Sequence, residues 1–272
     1  MIISKPFYLI LGIIAALSLE ACVAPSQWEF EEEILLDDIT PLGIIAGDNY
    51  LWVSDVANNR VVKTELTGQI IDQYEGFQRP MHIAMTQAYV YVPEFTADTI
   101  KRISHGTIDI FSLTEKPDAP SGVAIDGDML AVADFYKHRI IVQDKSSSML
   151  IGTEGHEAGK LYYPTDVEIY EGQIYVADAY NNRVQVFDRQ GKFVQTVGDS
   201  DGIQVAAGIT ISNRTLFVTD FDGHRILIYD LKGNLIQILE GRLKQPTDIS
   251  IANGRMFVAN YGTQSLLVFS DL

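Results

Sequence analysis

Short apolar runs, broken at regular intervals by glycine, asparagine and charged pairs, fill the chain from about residue 40 onward. Thr165 to Tyr170, Gln173 to Ala179, Arg183 to Asp188 and Lys192 to Gly198 alternate or concentrate apolar positions as strands do. Glu171-Gly172, Tyr180-Asn181-Asn182 and Arg189-Gln190-Gly191 separate them. That pattern predicts four strands joined by tight turns. The unit recurs. Val53-Ser54-Asp55 returns as Val92-Pro93-Glu94, Val132-Ala133-Asp134, Val176-Ala177-Asp178, Val218-Thr219-Asp220 and Val258-Ala259-Asn260, at spacings of 39, 40, 44, 42 and 40 residues. A period near 40 to 45 with four strands per unit is the signature of propeller blades, so the expected fold is all-β, a six-bladed β-propeller of four-stranded blades. Glycines at the third-to-fourth strand hairpins, Gly68, Gly106, Gly191 and Gly233, supply the positive φ those turns need.

The array has a defect at each end. The sixth unit stops after Ser265 to Asp271, one strand short, while Gln27 to Leu36 (QWEFEEEILL) belongs to no unit of its own. Both are resolved if the N-terminal segment supplies the outer strand of the last blade, which removes an open edge.

Composition narrows the function classes. The chain has 272 residues and a formal net charge of −16, and a surface that acidic repels phosphate backbones, so no nucleic-acid partner is expected. Its one cysteine, Cys22, precedes the repeats, so no intrachain disulfide forms and stability must come from packing and ladder hydrogen bonds. Lys5 is the only charge before the apolar run Phe7 to Leu19, whose 13 residues suit a signal-peptide core and fall short of a bilayer span of roughly 20. Leu19-Glu20-Ala21-Cys22 resembles the lipobox of bacterial lipoproteins, with Glu20 where that family has a small or uncharged residue. The resemblance implies a signal peptide over 1–21, a lipidated Cys22 opening a short tether over 22–27, and a propeller over 28–272 held at a membrane. Val23, in place of an aspartate, implies the outer membrane of the cell envelope, facing the periplasm.

Internal alignment of the units exposes a coupled pair. Asp55, Asp134, Asp178 and Asp220 are each followed five residues later by Arg60, Arg139, Arg183 and Arg225; Glu94 and Asn260 are followed by Thr99 and Ser265, so both members vanish together. Spacing across a hairpin places such a pair at the turn, where the carboxylate accepts from arginine or from turn amides, and this predicts a structural role repeated around the ring. Tyr163-Pro164-Thr165-Asp166-Val167 followed by Ile174 to Phe187, together with Lys137-His138-Arg139-Ile140 and Gly223-His224-Arg225-Ile226, resembles the NHL repeat over roughly residues 40 to 271. The resemblance implies a six-bladed propeller. For function it implies a range, since NHL propellers bind proteins, bind RNA through a basic face or act as lyases.

Two groups of residues carry candidate chemistry. Two positions after the first residue of each inner strand, Gly43, His82, Gly122, Asp166, Gly208 and Asp248 are expected to face the central channel, which places His82, Asp166 and Asp248 on alternate blades. They suit a divalent cation (Ca, Zn or Mn) with open positions, as a metal-dependent lyase or lactonase-like enzyme would require; equally, Pro-Thr-Asp suits a strand-start turn with His82 a solvated channel residue. On one rim, the second-to-third strand hairpins carry Phe95, Phe135, Tyr136, Tyr180, Phe221 and Tyr261, which suit recognition of a protein, peptide or glycan, or packing between rim loops. The longest inter-blade connection, Gly152 to Tyr163, adds His156, Lys160, Tyr162 and Tyr163 to that rim, whereas His105 lies in a solvated hairpin. No nucleophile elbow or phosphate-binding glycine loop is present. The expectation is a membrane-tethered envelope protein that binds an envelope partner through its aromatic rim, with an enzyme sited at the channel as the alternative.

Overall fold

A computed structural model describes residues 27–272, so Cys22 and the leader-like run lie outside the described residues. Among those described residues, six four-stranded antiparallel sheets follow one another around an axis. Blade four has strands Pro164–Tyr170, Gln173–Asp178, Arg183–Phe187 and Phe193–Val197, within a residue or two of the boundaries the alternation predicts. Burial falls from the middle of each blade outward. Second strands such as Gln173–Asp178 are enclosed on both faces by neighbouring blades, whereas the outermost Ile70–Tyr74 lies almost wholly in solvent. A strand sandwiched on both faces has no reason to alternate, and Ile174-Tyr175-Val176-Ala177 indeed reads as a continuous apolar run.

The core is divided into layers between blades. Ala131, Ile140, Val142 and Ile151 of the third blade interlock with Val167, Ile174, Val176 and Phe187 of the fourth, and equivalent clusters fill the other five gaps. The ring closes as expected: Trp28–Leu35 pairs antiparallel with Ser265–Asp271, from Trp28 opposite Asp271 to Leu35 opposite Ser265, with a bulge between Phe30 and Glu32. Trp28 packs edge-on against Phe217 at 5.7 Å, and its backbone exchanges hydrogen bonds of 3.0 and 2.9 Å with the Gln237 side chain of the fifth blade.

Blade two departs from the pattern for a local reason. Its inner strand is reduced to Ala84–Met85, with an isolated bridge from Pro80 to Glu94 in place of a full ladder. The facing strand carries Pro93, which has no amide hydrogen to donate. The His82 amide donates instead to the Ser121 carbonyl of the third blade, at 3.1 Å.

Candidate functional site

Each second-to-third hairpin is locked the same way. The acid or amide ending the second strand accepts from a backbone amide in the loop leading into its own blade: Asp55 from Thr40, Glu94 from Gln78, Asp134 from Asp118, Asp178 from Tyr162, Asp220 from Gln204 and Val205, and Asn260 from Lys244, at 2.7 to 3.0 Å. Where arginine follows, its Nε donates to the same carboxylate at 2.7 to 2.9 Å, and its outer nitrogen reaches carbonyls such as Asp38 and Gly202 in that loop. Glu94 takes Thr99 and Lys101 in place of arginine, while Asn260 needs no cation and bonds Thr263. The coupled pair is thus a structural clamp, and its joint loss reflects a change of acceptor.

The residue before each arginine position has its own task. Asn59, Asp98, His138, Asn182, His224 and Gln264 all sit in the left-handed region, with φ between 53° and 58°, a conformation that Asn, Asp and His enter most readily among side-chain-bearing residues. From there Asn59, Asp98, His138 and His224 accept backbone amides of the following blade, those of Arg79, Ala119, Tyr163 and Gln245, at 2.8 to 3.1 Å. Gln264 donates to Thr40 Oγ1 across the closure. These latches fix one rim of the molecule blade by blade.

That rim surrounds a cavity of about 700 Å³, within the range of small-ligand and peptide sites. Phe95, Phe135, Tyr180, Phe221 and Tyr261 wall it; Leu42, Thr165, Ala207 and Thr247 line it from the inner strands and Met81 from the segment before the shortened one. Five of the six rim aromatics expected from the hairpins therefore share one pocket. Tyr136 stands outside the lining but joins its wall, 5.6 Å from Phe95 and 5.2 Å from Phe135. Tyr162 and Tyr163, from the long connection, extend the aromatic run to Tyr180, and His156 is tied down by Asn181 at 2.6 Å. Packing and exposure are divided among these rings. Phe95 is buried, whereas Tyr136 and Tyr180 are 52% and 57% exposed.

His82 lines the bottom of this cavity and also the top of a narrower one of about 140 Å³, which continues along the axis past Asp166, Asp248 and Glu168. The three predicted channel residues do converge: a ligand-capable atom from each lies within 4.8 Å of the other two. His82 Nδ1 is 3.4 Å from Asp248 Oδ2 and 4.0 Å from Asp166 Oδ2, yet aligned with neither, so it is a buried nitrogen without a hydrogen-bond partner. The carboxylates are anchored across blades and not by the strand-start turn alone. Asp166 Oδ2 accepts from Ile209 and Asp248 Oδ2 from Ile44, both at 2.9 Å, while Asp248 Oδ1 takes the local Ile249 amide at 2.8 Å. His82 is only 5% exposed, which corrects the expectation of a solvated imidazole.

Burial alone would lower the His82 pKa, but the charges of Asp166 and Asp248 together overcome it and hold the imidazole up to about 9. Burial drives the Asp166 carboxyl the other way from a usual aspartate, to about 7, opposed by His82 and reinforced by Asp248. Glu168, half-buried lower down the channel, is pushed above the ordinary carboxylate range by its partial burial and then by the same two aspartates. At neutral pH the group holds more protons than its parts would in water. Its donor set of one nitrogen and two carboxylate oxygens, converging within 4.8 Å, is of the kind a Zn or Mn ion takes.

Sequence reasoning missed the inner lining. Leu42, Met81, Thr165, Ala207 and Thr247 each lie one residue before a channel-facing position, so the same blade alignment that found Gly43, His82, Asp166, Gly208 and Asp248 contained them. Arg79, beside Pro80, was also missed; it lines the cavity and stacks over Phe95 at 4.5 Å.

Comparison with known proteins agrees with the fold. A family model described as a 6-bladed beta-propeller (DUF5128) matches residues 151–240. Protein brain tumor of Drosophila melanogaster is 28% identical over 160 residues, a match that spans 56% of this chain and 15% of that protein. Among solved structures, a streptogramin B lyase superposes with a TM-score of 0.69 at 15% identity, over 90% of this chain and 98% of the other. A chain of a nidogen/laminin complex gives 0.63 at 16% identity, over 83% and 87%. These support a β-propeller family; identities this low speak for the fold alone.

Proposed function

We propose that this protein is an NHL-type recognition propeller, tethered in the cell envelope through a lipidated Cys22 and facing the periplasm, that binds a segment of a partner protein or peptide in its aromatic-walled pocket. The observation that carries the proposal is the coincidence of rim and channel: rings from five hairpins wall one cavity of about 700 Å³, held open by the latches described above. Rigid rings offer contact area at low entropic cost, and Tyr136 and Tyr180 are exposed where a partner would arrive. The nidogen/laminin structure shows that a chain of this fold can sit in a protein complex, without specifying a partner for this one. Cross-linking and co-purification from intact envelopes test it. A specific protein recovered with the native chain should be lost when Tyr136, Tyr180 and Tyr261 become alanine. An unchanged partner set would overturn the pocket, and recovery of a glycan alone would reassign it. Acyl labelling that disappears in Cys22→Ser tests the tether.

A second reading, a metal-dependent enzyme, is favoured by the unpartnered His82 Nδ1 facing two carboxylates. His82, Asp166 and Asp248 would hold the ion, which when bound would supply Lewis-acid polarisation at the floor of the pocket. Elemental analysis of the purified protein decides: stoichiometric Zn, Mn or Ca, lost in His82→Ala, supports it, and absence of metal after incubation with each ion and removal of excess rejects it.

A further inference from the structure

The chain carries a formal net charge of −16, yet among the described residues no carboxylate lines the 700 Å³ cavity. Of its 17 lining residues, the only two with basic side chains are Arg79 and His82, and none is acidic. For a protein this acidic, a pocket wall free of carboxylates is a local depletion of negative charge, with Asp166 and Asp248 set beneath the floor against His82. Arg79 is also set apart from the other arginines of the rim. Arg60, Arg139, Arg183 and Arg225 are each spent on a hairpin aspartate, whereas Arg79, among the described residues, makes no ion pair and no side-chain hydrogen bond. It is nevertheless positioned. Its backbone is in the left-handed region at φ 57°, its amide donates to Asn59 Oδ1 at 2.8 Å, and its guanidinium lies on the Phe95 face. The stacking leaves the planar fork of donors unspent at an exposed position on the cavity lining. On the opposite side of the cavity the lining is apolar or hydroxylic: Val205, Ala207, Phe221, Thr247 and Tyr261.

We infer that the pocket recognises a peptide segment that combines a carboxylate with an apolar or aromatic side chain, the carboxylate taken by Arg79 and the side chain by the ring of aromatics. The inference rests on the proposed recognition role and names the chemistry of its ligand. Arg–carboxylate pairing is bidentate and charge-assisted, and it discriminates strongly against an uncharged analogue because the guanidinium would lose its counter-charge on desolvation. Both a free C-terminus and an internal Asp or Glu offer this group.

The test uses unlabelled N-acetylated Gly-Ser-Phe-Phe with a free carboxylate, its C-terminal amide, and the amidated Gly-Glu-Phe-Phe, measured by isothermal titration calorimetry against the protein. At least one acidic probe should bind about tenfold or more tightly than the neutral amide, with the preference shrinking as salt is raised. The free-acid and Glu-containing probes tell a terminal from a side-chain carboxylate. Arg79→Met keeps the stem against Phe95 and should abolish the acid-over-amide preference, read as the ratio of the two affinities within the variant; Arg79→Lys should restore part of it. Equal binding of acid and amide overturns the inference and leaves the aromatic pocket standing. Binding of neither, up to millimolar probe, overturns both, as does tighter binding of a lysine-containing analogue for the carboxylate alone. Preference for an acidic oligosaccharide such as an oligogalacturonate over every peptide overturns the peptide assignment.

Discussion

Trp28 is the residue on which ring closure is most exposed to test. It belongs to the strand that completes the last blade, yet its indole sits in the layer against the preceding one, with Phe217, Ile228, Leu239 and Ile249. Replacing a buried tryptophan by alanine costs about 3–5 kcal/mol through lost transfer energy and a residual cavity. For a domain of this size each kcal/mol lowers Tm by roughly 2–4 °C, so Trp28→Ala should melt about 10 °C below the native protein. Leu35→Ala, on the same strand but 74% exposed, should fall within about 0.5 kcal/mol and serves as the control. Removing residues 27–36 is harsher. Trp28, Ile34 and Leu36 are all buried, and at about 1.5–3 kcal/mol each their loss approaches the 5–15 kcal/mol net stability typical of a domain, before the seven lost strand pairs are counted. Urea unfolding followed by circular dichroism and by tryptophan fluorescence is the assay; in the variants lacking Trp28 the emission comes from Trp52, at the junction of the first two blades. A shortened protein with an unchanged midpoint, or Trp28→Ala no worse than Leu35→Ala, would refute closure as the source of ring stability.

Three further outcomes follow from the hairpins and the axis. Asp178 accepts from Tyr162, Asn181, Arg183 and Gln185, so Asp178→Asn should cost about 2–3 kcal/mol by turning an amide donor toward Arg183. Adding Arg183→Ser, the pairing blade six already uses, should cost less than the two single changes combined, and a double-mutant cycle in urea with coupling near zero would contradict the clamp. Gly208→Ala would drive a methyl into the Thr247 carbonyl and should destabilise by at least about 2 kcal/mol, measurable as a Tm shift, whereas Gly241→Ala, with open space around it, should pay only for its backbone conformation. In metal-free buffer, stability should fall as pH rises. Asp166 and His82 are both raised above their unfolded values, so the folded state keeps protons the unfolded chain releases. The contribution is present at pH 4, weakens as Asp166 titrates toward about 7, and is gone as His82 titrates through about 9. Asp166→Asn should reduce the slope of the Tm profile between pH 4 and 7, leaving the part contributed by Glu168, which is raised as well; an unaltered slope would assign the dependence to Glu168 or to general surface charge.

Much of the architecture was legible because a blade is locally encoded. Alternation, hairpin glycines and the Val-x-Asp repeat all act within about 40 residues, so comparing one unit with the next recovers strands, turns and the clamp between Asp178 and Arg183. What stayed hidden crosses between blades. His138 and His224 looked like fragments of a motif, and their function as amide acceptors for Tyr163 and Gln245 appears only when the next blade is in place. The truncated inner strand of blade two was announced by Pro93, a residue whose missing donor matters only once its partner strand is known. Rim and channel residues were separately identifiable from register, but their union in a single pocket depends on the depth of the inner strands, which no repeat spacing reports.

The alternation of glycine with His82, Asp166 and Asp248 around the axis shows how packing and chemistry become one constraint. An added Cβ would collide with the next blade at each of Gly43, Gly122 and Gly208, against the Met81 carbonyl, Asp166 Oδ1 and Cα, and the Thr247 carbonyl, so the axis has room for three side chains and not six. Three apolar side chains would fill that space without the expense of burying charge, and a buried ionic group is weak evidence of stability in its own right. Two of the three charges are tied to amides of Ile209 and Ile44, which would be orphaned by an apolar replacement, so the aspartates have a structural task as acceptors. His82 has none: its Nδ1 is unpartnered, its ring joins the two cavities, and leucine or glutamine would occupy the same volume. A side chain that packing does not require, held charged by neighbours that packing does require, is where the floor of this pocket departs from architecture and turns toward function.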